Sequence, residues 1–316
     1  MSKDFNLYHF GGTGINILNR YLEQGKNSRF IDQVVAMDTS EANPITDGIY
    51  PLERLEGVEG SGGNRKAHAD KYADFVKQVF AKYKPNKVNI LVYSLSGGTG
   101  ASMGPYALRY LLQKKIPTLV ICIGDKSTFN EEKNTVEALG SMYNQIKTGS
   151  PVLFNYIENG QTISQGQVNQ RAVGEIDNAI MMFNMENERI DYADIKNFFF
   201  FTDVTQADPI MTQVTFLAEG DLGRYDRKPV AAISLYNNID EIRAPFENML
   251  YRKSGLFGES FSGMTVPVHA VLDHGDTIQS LKTLIEDKET KNNELAGQFR
   301  NKETDLFADS DDDGMM

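Results

Sequence analysis

Three short stretches carry residues whose types and spacing could do chemistry. The first is Phe10-Gly11-Gly12-Thr13-Gly14-Ile15-Asn16, between an apolar run and a helical pattern. Glycines at such a turn let the backbone approach an anion, and a helix start offers unpaired N–H donors to phosphate. Its spacing departs from Gly-x-Gly-x-x-Gly, so alone it could equally be a dinucleotide loop or a tight turn. The second is Ser94-Leu95-Ser96-Gly97-Gly98-Thr99-Gly100-Ala101-Ser102, again between a strand and a helix. Successive N–H groups there can form an anion-binding nest, with hydroxyls from Thr99 and Ser102. Two such loops at parallel strand ends could hold one polyphosphate. No Gly-x-x-x-x-Gly-Lys-Ser/Thr occurs, which excludes an ordinary P-loop. The third stretch, Arg189-Ile190-Asp191-Tyr192-Ala193-Asp194-Ile195, sets two carboxylates three residues apart, where they could polarise a water. Alone, Asp191 would read as an N-cap or a surface acid.

These loops need strands to aim them. Apolar runs at Phe5–Phe10, Gln33–Met37, Val88–Tyr93, Thr118–Ile123 and Val152–Ile157 alternate with Gly-rich turns and amphipathic stretches. That alternation predicts α/β architecture, a parallel sheet with helices on both faces. Ala101–Lys114 carries an apolar helical stripe, with Pro105 expected in its first turn. A longer helical period from Gln167 to Asn187 predicts a central linking helix. Strands follow at Pro229–Tyr236 and Met264–Leu272, with turn or loop chemistry at Asn237-Asn238 and Ser254–Gly263, giving a smaller C-terminal α/β domain. A last helix should start near Thr277 and project from about Lys288 into an acidic tail. The expected organisation is a nucleotide domain over 1–160, the linking helix over 161–187, the second α/β domain over 188–276 and the helix with its tail over 277–316.

Composition narrows the function. The net charge of −11 argues against nucleic-acid binding through a basic surface. Much of the acid is local, in Glu303 to Asp313, which contains no Lys or Arg. No apolar run reaches the roughly 18–20 residues that span a bilayer, so no membrane insertion is expected. The start lacks the basic and apolar zones of a secretory signal. The single cysteine, Cys122, lies in an apolar run and reads as a small buried hydrophobe. His9, His68, His269 and His274 lack zinc-ligand spacing and read as structural.

With these residues in view, the chain resembles the tubulin and FtsZ superfamily. Its phosphate loop, Gly-Gly-Gly-Thr-Gly-Ser/Thr-Gly, shares the centre Gly97-Gly98-Thr99-Gly100, with Ser96 for the first glycine and Ala101-Ser102 for the final pair. The loop at Asp191 and Asp194 resembles FtsZ's Asn-x-Asp-Phe-Ala-Asp-Val, with Arg189 in place of the Asn. Gly60-Ser61-Gly62-Gly63-Asn64-Arg65-Lys66 and Tyr93-Ser94-Leu95 look like the PhuZ branch, the tubulins of large bacteriophages.

The resemblance implies GTP and GDP as ligands. Gly11, Gly12, Thr13, Gly14, Ser96, Gly97, Gly98, Thr99 and Gly100 would lie along the phosphates, and Gly62, Gly63 and Asn64 by the terminal one, with Arg65 or Lys66 adding charge. It further implies Asp38 near the nucleotide, Asn16 beside ribose or base, Glu131 or Glu132 at the ribose, and Asn159 and Asn169 selecting guanine. An amide offers guanine both donor and acceptor. Thr135 stands where FtsZ usually has an arginine. Mg²⁺ is expected only through nucleotide phosphate and water. Asp191 and Asp194 would complete the GTPase site of the next subunit, making a longitudinal homopolymer whose acidic tail contacts another subunit. The implied setting is the cytoplasm of an infected bacterial host, where filaments would position phage DNA or its replication compartment. Two other classes remain open on the residues alone: a nicotinamide-dependent oxidoreductase using Gly11–Gly14, and a nonhydrolysing scaffold.

Overall fold

The structure, a computed structural model, describes residues 3–46, 48–160, 162–273 and position 283. The chain divides into compact units over Met1–Gly275 and Asp276–Met316, and every element named below belongs to the first. The expected last helix from Thr277 and the acidic tail lie outside the described residues, Thr283 apart.

In chain order the elements are β1 Phe5–Phe10, α1 Gly11–Gln24, β2 Ile31–Asp38, β3 Leu52–Arg54, α2 Ala69–Lys82, β4 Val88–Ser94, α3 Thr99–Gln113, β5 Thr118–Asp125, α4 Phe129–Tyr143, β6 Val152–Asn159 and α5 Gln165–Phe183. Then come α6 Tyr192–Phe199, α7 Phe201–Val204, β7 Met211–Ala218, β8 Pro229–Tyr236, β9 Tyr251–Leu256 and β10 Val268–Asp273. The strands form one sheet in the order β3-β2-β1-β4-β5-β6-β7-β10-β8-β9. Pairing is parallel from β3 through β7, antiparallel on both sides of β10, and parallel again between β8 and β9. This is the α/β fold anticipated, and the β6–β7 pairing carries the sheet unbroken from its first half into its second.

Every residue of β1, β4 and β5 is buried. A sheet covered on both faces requires that, and so these strands read as apolar runs without alternation. Their polar members are bonded in place: Asn6 Nδ2 donates to Tyr8 Oη and Lys84 O, and Asn89 Nδ2 to Asn86 O. Cys122 is buried in β5, and burial pushes its thiol pKa up, as a core residue requires.

Four expectations need correction. Helix α3 starts at Thr99, two residues before Ala101, so Pro105 sits seventh in the helix and outside its first turn. A proline there cannot donate to Ala101 O; Arg65 Nη2 donates to that carbonyl instead, at 3.3 Å. The central helix ends at Phe183, short of Asn187, because side chains take its last carbonyls: Asn184 Nδ2 donates to Ile180 O and Met181 O, and Asn187 Nδ2 to Met181 O. Strand β10 begins at Val268, after Pro267, which has no N–H to give a sheet. Ser254–Leu256, expected in a loop, belongs to β9, paired in parallel with Ser234–Tyr236.

Candidate functional site

Strand order reverses at β1. Its chain successor β2 lies on one side and β4 on the other, with Phe10 opposite Tyr93 in parallel register. Open α/β sheets leave their ligand crevice outside the carboxyl ends of strands at such a switch point. The loops after β1 and β4 meet there, and two adjoining clefts open above them. The larger is about 650 Å³, the smaller about 280 Å³, and Thr13, Gly62, Ser94 and Gly97 line both. Small-molecule sites run to roughly 300–1,000 Å³.

The glycines divide by role. Gly11 has φ +68°, and a Cβ there would lie 3.0 Å from Gly100 N; one on Gly100 would lie 2.9 Å from Phe10 O. These two let the loops pack backbone to backbone. Gly12 would similarly meet Asn43 Oδ1 at 2.9 Å, and Gly98 would run into Ser61 Oγ. Gly14 lines neither cleft; its Cα faces Val92 O, so it seats α1 on β4. At Gly97, by contrast, the nearest atom to a Cβ is Ser94 Oγ at 4.0 Å, and at Gly62 and Gly63 none lies within 4 Å. Their open side is the space a ligand could use.

The loop over residues 60–66 closes one side of the site. Gly60 N donates to Thr39 O at 2.8 Å. A hydroxyl chain runs from Thr39 Oγ1 to Thr99 Oγ1 at 2.6 Å and on to Ser61 Oγ at 3.2 Å. Asn134 on α4 donates through Nδ2 to Gly63 O and Ser96 O, both at 2.9 Å, and so joins this loop to the one after β4. Gly62, Gly63, Asn64, Arg65, Lys66 and Lys133 line the larger cleft. Burial lowers the Arg65 pKa, and the Glu137 carboxylate beside it works against that shift.

Asn16, Asn159 and Asn169 also line the larger cleft. Asn159 is oriented by Asp125, whose Oδ2 accepts from its Nδ2 at 2.6 Å. The side chains of Asn16 and Asn169 make no hydrogen bond within the described residues, leaving both amides for a ligand. Glu131 lines the cleft and receives a hydrogen bond from Thr128 Oγ1 at 2.7 Å, whereas Glu132 is only 4% exposed. Thr135 is buried, its Oγ1 donating to Glu131 O. Asp38 lines the smaller cleft with its carboxylate already engaged by Thr39 N and Asn43 Nδ2.

Asp191 and Asp194 line neither cleft. Asp191 caps α6, its Oδ1 accepting from Asp194 N at 2.9 Å, while Asp194 Oδ2 accepts from Asp191 N at 3.1 Å and pairs with Lys253 Nζ at 2.7 Å. One oxygen of each carboxylate stays clear of these contacts. Phe198 and Phe199 of α6 pack on Phe183 at ring distances of 5.5 and 5.2 Å, anchoring the acidic corner to the central helix. Burial, then the Asp194 charge, push the Tyr251 phenol up to about 12.

His9 and His269 are core residues. His9 Nδ1 contacts Gly14 O, which can only accept, so the proton is on Nδ1 and Nε2 is bare; burial lowers its pKa to about 4. His269 lies between Ser234 Oγ and Glu219 Oε2. Sequence reasoning missed Asn134 and Asp125. The partners of Asn134 are backbone carbonyls 71 and 38 positions away, and no local pattern marks such a bridge. Asp125 closes β5, one strand over from the glycine loops, and its pairing with Asn159 follows only from the β5–β6 register.

No model of a known protein family matches the chain. Among curated proteins, it is similar to the phage tubulin-like protein of Pseudomonas phage 201phi2-1, 24% identical over 314 residues that make up 97% of this chain and 96% of that one. Among solved structures, it superposes on a protofilament of TubZ from bacteriophage PhiKZ with a TM-score of 0.84 at 22% identity, over 94% of this chain and 93% of that one. A structure of the phage tubulin PhuZ with GDP gives a TM-score of 0.83 at 21% identity, with the same coverage.

Proposed function

We propose, from its likeness in sequence and fold to the phage tubulins, that this is a PhuZ-like chain of the tubulin and FtsZ superfamily, a GTPase that polymerises head to tail into cytoskeletal filaments. The observation that carries the proposal is the pair of adjoining clefts at the sheet's switch point. There the loop after β1 packs on the loop after β4 at Gly11 and Gly100, and the loop over 60–66 is tied to the loop after β4 by Asn134 and by the Thr39–Thr99–Ser61 hydroxyls.

The cleft has the donors a guanine nucleotide needs. The open backbone at Gly97, with Gly98, Thr99 and Gly100 at the start of α3 and Gly11–Thr13 at the start of α1, presents N–H groups to the phosphates. Gly62, Gly63 and Asn64 stand by the terminal phosphate with Lys66 as a cation. Glu131 takes the ribose, and Asn16, Asn159 and Asn169 the guanine edge. Mg²⁺ would come with the phosphates, neutralising charge between them, with the hydroxyls of Ser94, Ser96 and Thr99 nearby.

Within one copy the acids do not reach this cleft, so we assign Asp191 and Asp194 to the site of the next copy. Their free oxygens would orient the water that attacks the γ-phosphorus as the bridging oxygen leaves with GDP. The filament would form from identical subunits, and the tail over Glu303–Asp313 would reinforce the contact. In an infected bacterium such filaments would position phage DNA or its compartment. A nicotinamide enzyme would use Gly11–Gly14 alone and would leave the facing Gly97–Gly100 loop without a role.

Phosphate release from GTP, measured per subunit against protein concentration with Mg²⁺ present, tests this. The expected result is a threshold followed by rising specific activity. Specific activity independent of concentration would place the whole site in one chain, and no turnover would leave a nonhydrolysing scaffold.

A further inference from the structure

Arg65 or Lys66 was expected to add charge near the terminal phosphate, and the bonds of Arg65 lead elsewhere. Nη1 meets Glu137 Oε2 at 3.1 Å and Nη2 meets Ser141 Oγ at 3.0 Å, both on α4. Nη2 also donates to Ala101 O on α3 at 3.3 Å, the carbonyl that Pro105 leaves without its helical donor. The residue's own carbonyl accepts from Ser102 Oγ, also on α3. The side chain is 13% exposed. A planar guanidinium can serve acceptors on two helices at once in a fixed geometry, which an ammonium cannot.

Just before it in the chain, Gly62 and Gly63 have φ of +55° and +74° and no neighbour within 4 Å of a Cβ position. On that side nothing packs against either glycine. Among the loop's ties are Gly60 and Ser61 at one end, Asn134 on Gly63 O in the middle, and Arg65 at the far end, through its side chain and its carbonyl. We propose that Arg65 is a positioning residue, a clamp that fastens the loop over 60–66 to α3 and α4 so that Gly62, Gly63 and Asn64 stand in place before nucleotide arrives. The inference rests on the guanine-nucleotide reading of the cleft. Pro105 is part of the device, because it frees the α3 carbonyl that the clamp grips.

Two variants separate a clamp from a phosphate-binding cation. Arg65→Lys keeps the charge and loses the fork. Glu137→Gln removes the acid that holds the guanidinium, and at 39% side-chain exposure Glu137 is a site where the change should leave the fold intact. If Arg65 bound phosphate, E137Q would free it and tighten GTP binding; if it is a clamp, E137Q weakens binding. The experiment is a GTP titration below the assembly threshold, with amide hydrogen exchange over 60–66 in nucleotide-free protein. Expected for both variants are a Kd about tenfold higher, equivalent to about 1.4 kcal/mol, and faster loop exchange. Turnover at saturating GTP in E137Q polymer should stay near wild type, since a pre-positioning contact acts on binding. Tighter binding by E137Q, or wild-type exchange and affinity in both variants, would overturn the clamp. A wild-type chain that binds no GTP would overturn the functional reading, with loop exchange still deciding the clamp.

Discussion

A carboxylate at a helix start has a structural use whether or not it has a catalytic one, and Asp191 has the structural one in full view. Its Oδ1 caps α6 and Asp194 reciprocates, a box that satisfies two backbone donors. Substitution by alanine would therefore confound loss of chemistry with loss of a cap worth about 1 kcal/mol. Asparagine keeps an acceptor oxygen and caps about as well as aspartate, but carries no charge to polarise a water. Asp191→Asn should melt within a degree or two of wild type while GTP turnover in polymer drops by about 10²-fold or more. Calorimetry beside a phosphate-release assay checks both halves, and undiminished turnover would return Asp191 to a capping role. The pair was legible in the sequence as a spacing. Which oxygens are free, and that Glu131 rather than Glu132 borders the cleft, depended on how each helix is rotated on the sheet.

Between elements, the glycine loops show how one residue type serves two needs. Gly100 is glycine because α3 starts against the end of β1; Gly97 faces open space. Gly100→Ala should force Phe10 O and the β1 end apart and cost about 1–3 kcal/mol of stability. Gly97→Ala should leave the denaturation midpoint near wild type and weaken GTP binding, because its methyl would occupy the phosphate side. Urea unfolding and nucleotide titration of the two variants would show opposite patterns; equal destabilisation would contradict this division. The motif marked both glycines identically. Only the parallel register of β1 and β4, which sets Phe10 beside Tyr93, sorted them.

For the whole molecule the question is what one copy lacks. The clefts are lined by residues between 10 and 169, whereas Asp191 and Asp194 follow the central helix in the chain and line neither. On the proposed reading, a site divided this way would require a second copy, and catalysis would be tied to assembly. The segment Glu303–Asp313 lies outside the described residues, so the proposed tail contact rests on its charge and on the family resemblance. An acidic tail reinforcing a subunit contact acts through screened attraction, which weakens over a Debye length of about 8 Å at physiological salt. Deleting Glu303–Met316 should raise the critical concentration, and the difference from full-length chain should shrink as salt increases. Light scattering across a salt series measures it; identical assembly at every salt would assign the tail to solubility.

The chain's local chemistry determined a great deal: unbroken apolar runs demand a sheet buried on both faces, Gly-rich turns mark the strand ends that can meet an anion, and Asp-x-x-Asp marks a helix start. Such signals are local because strand burial, turn conformation and capping depend on residues within a few positions. Tertiary structure decided the rest. The pairing of β6 with β7, the bridge from Asn134, the orientation of Asn159 by Asp125 and the grip of Arg65 on the carbonyl freed by Pro105 all join residues distant in the chain. Each satisfies a polar group whose partner is selected by packing, and packing is a property of the folded whole.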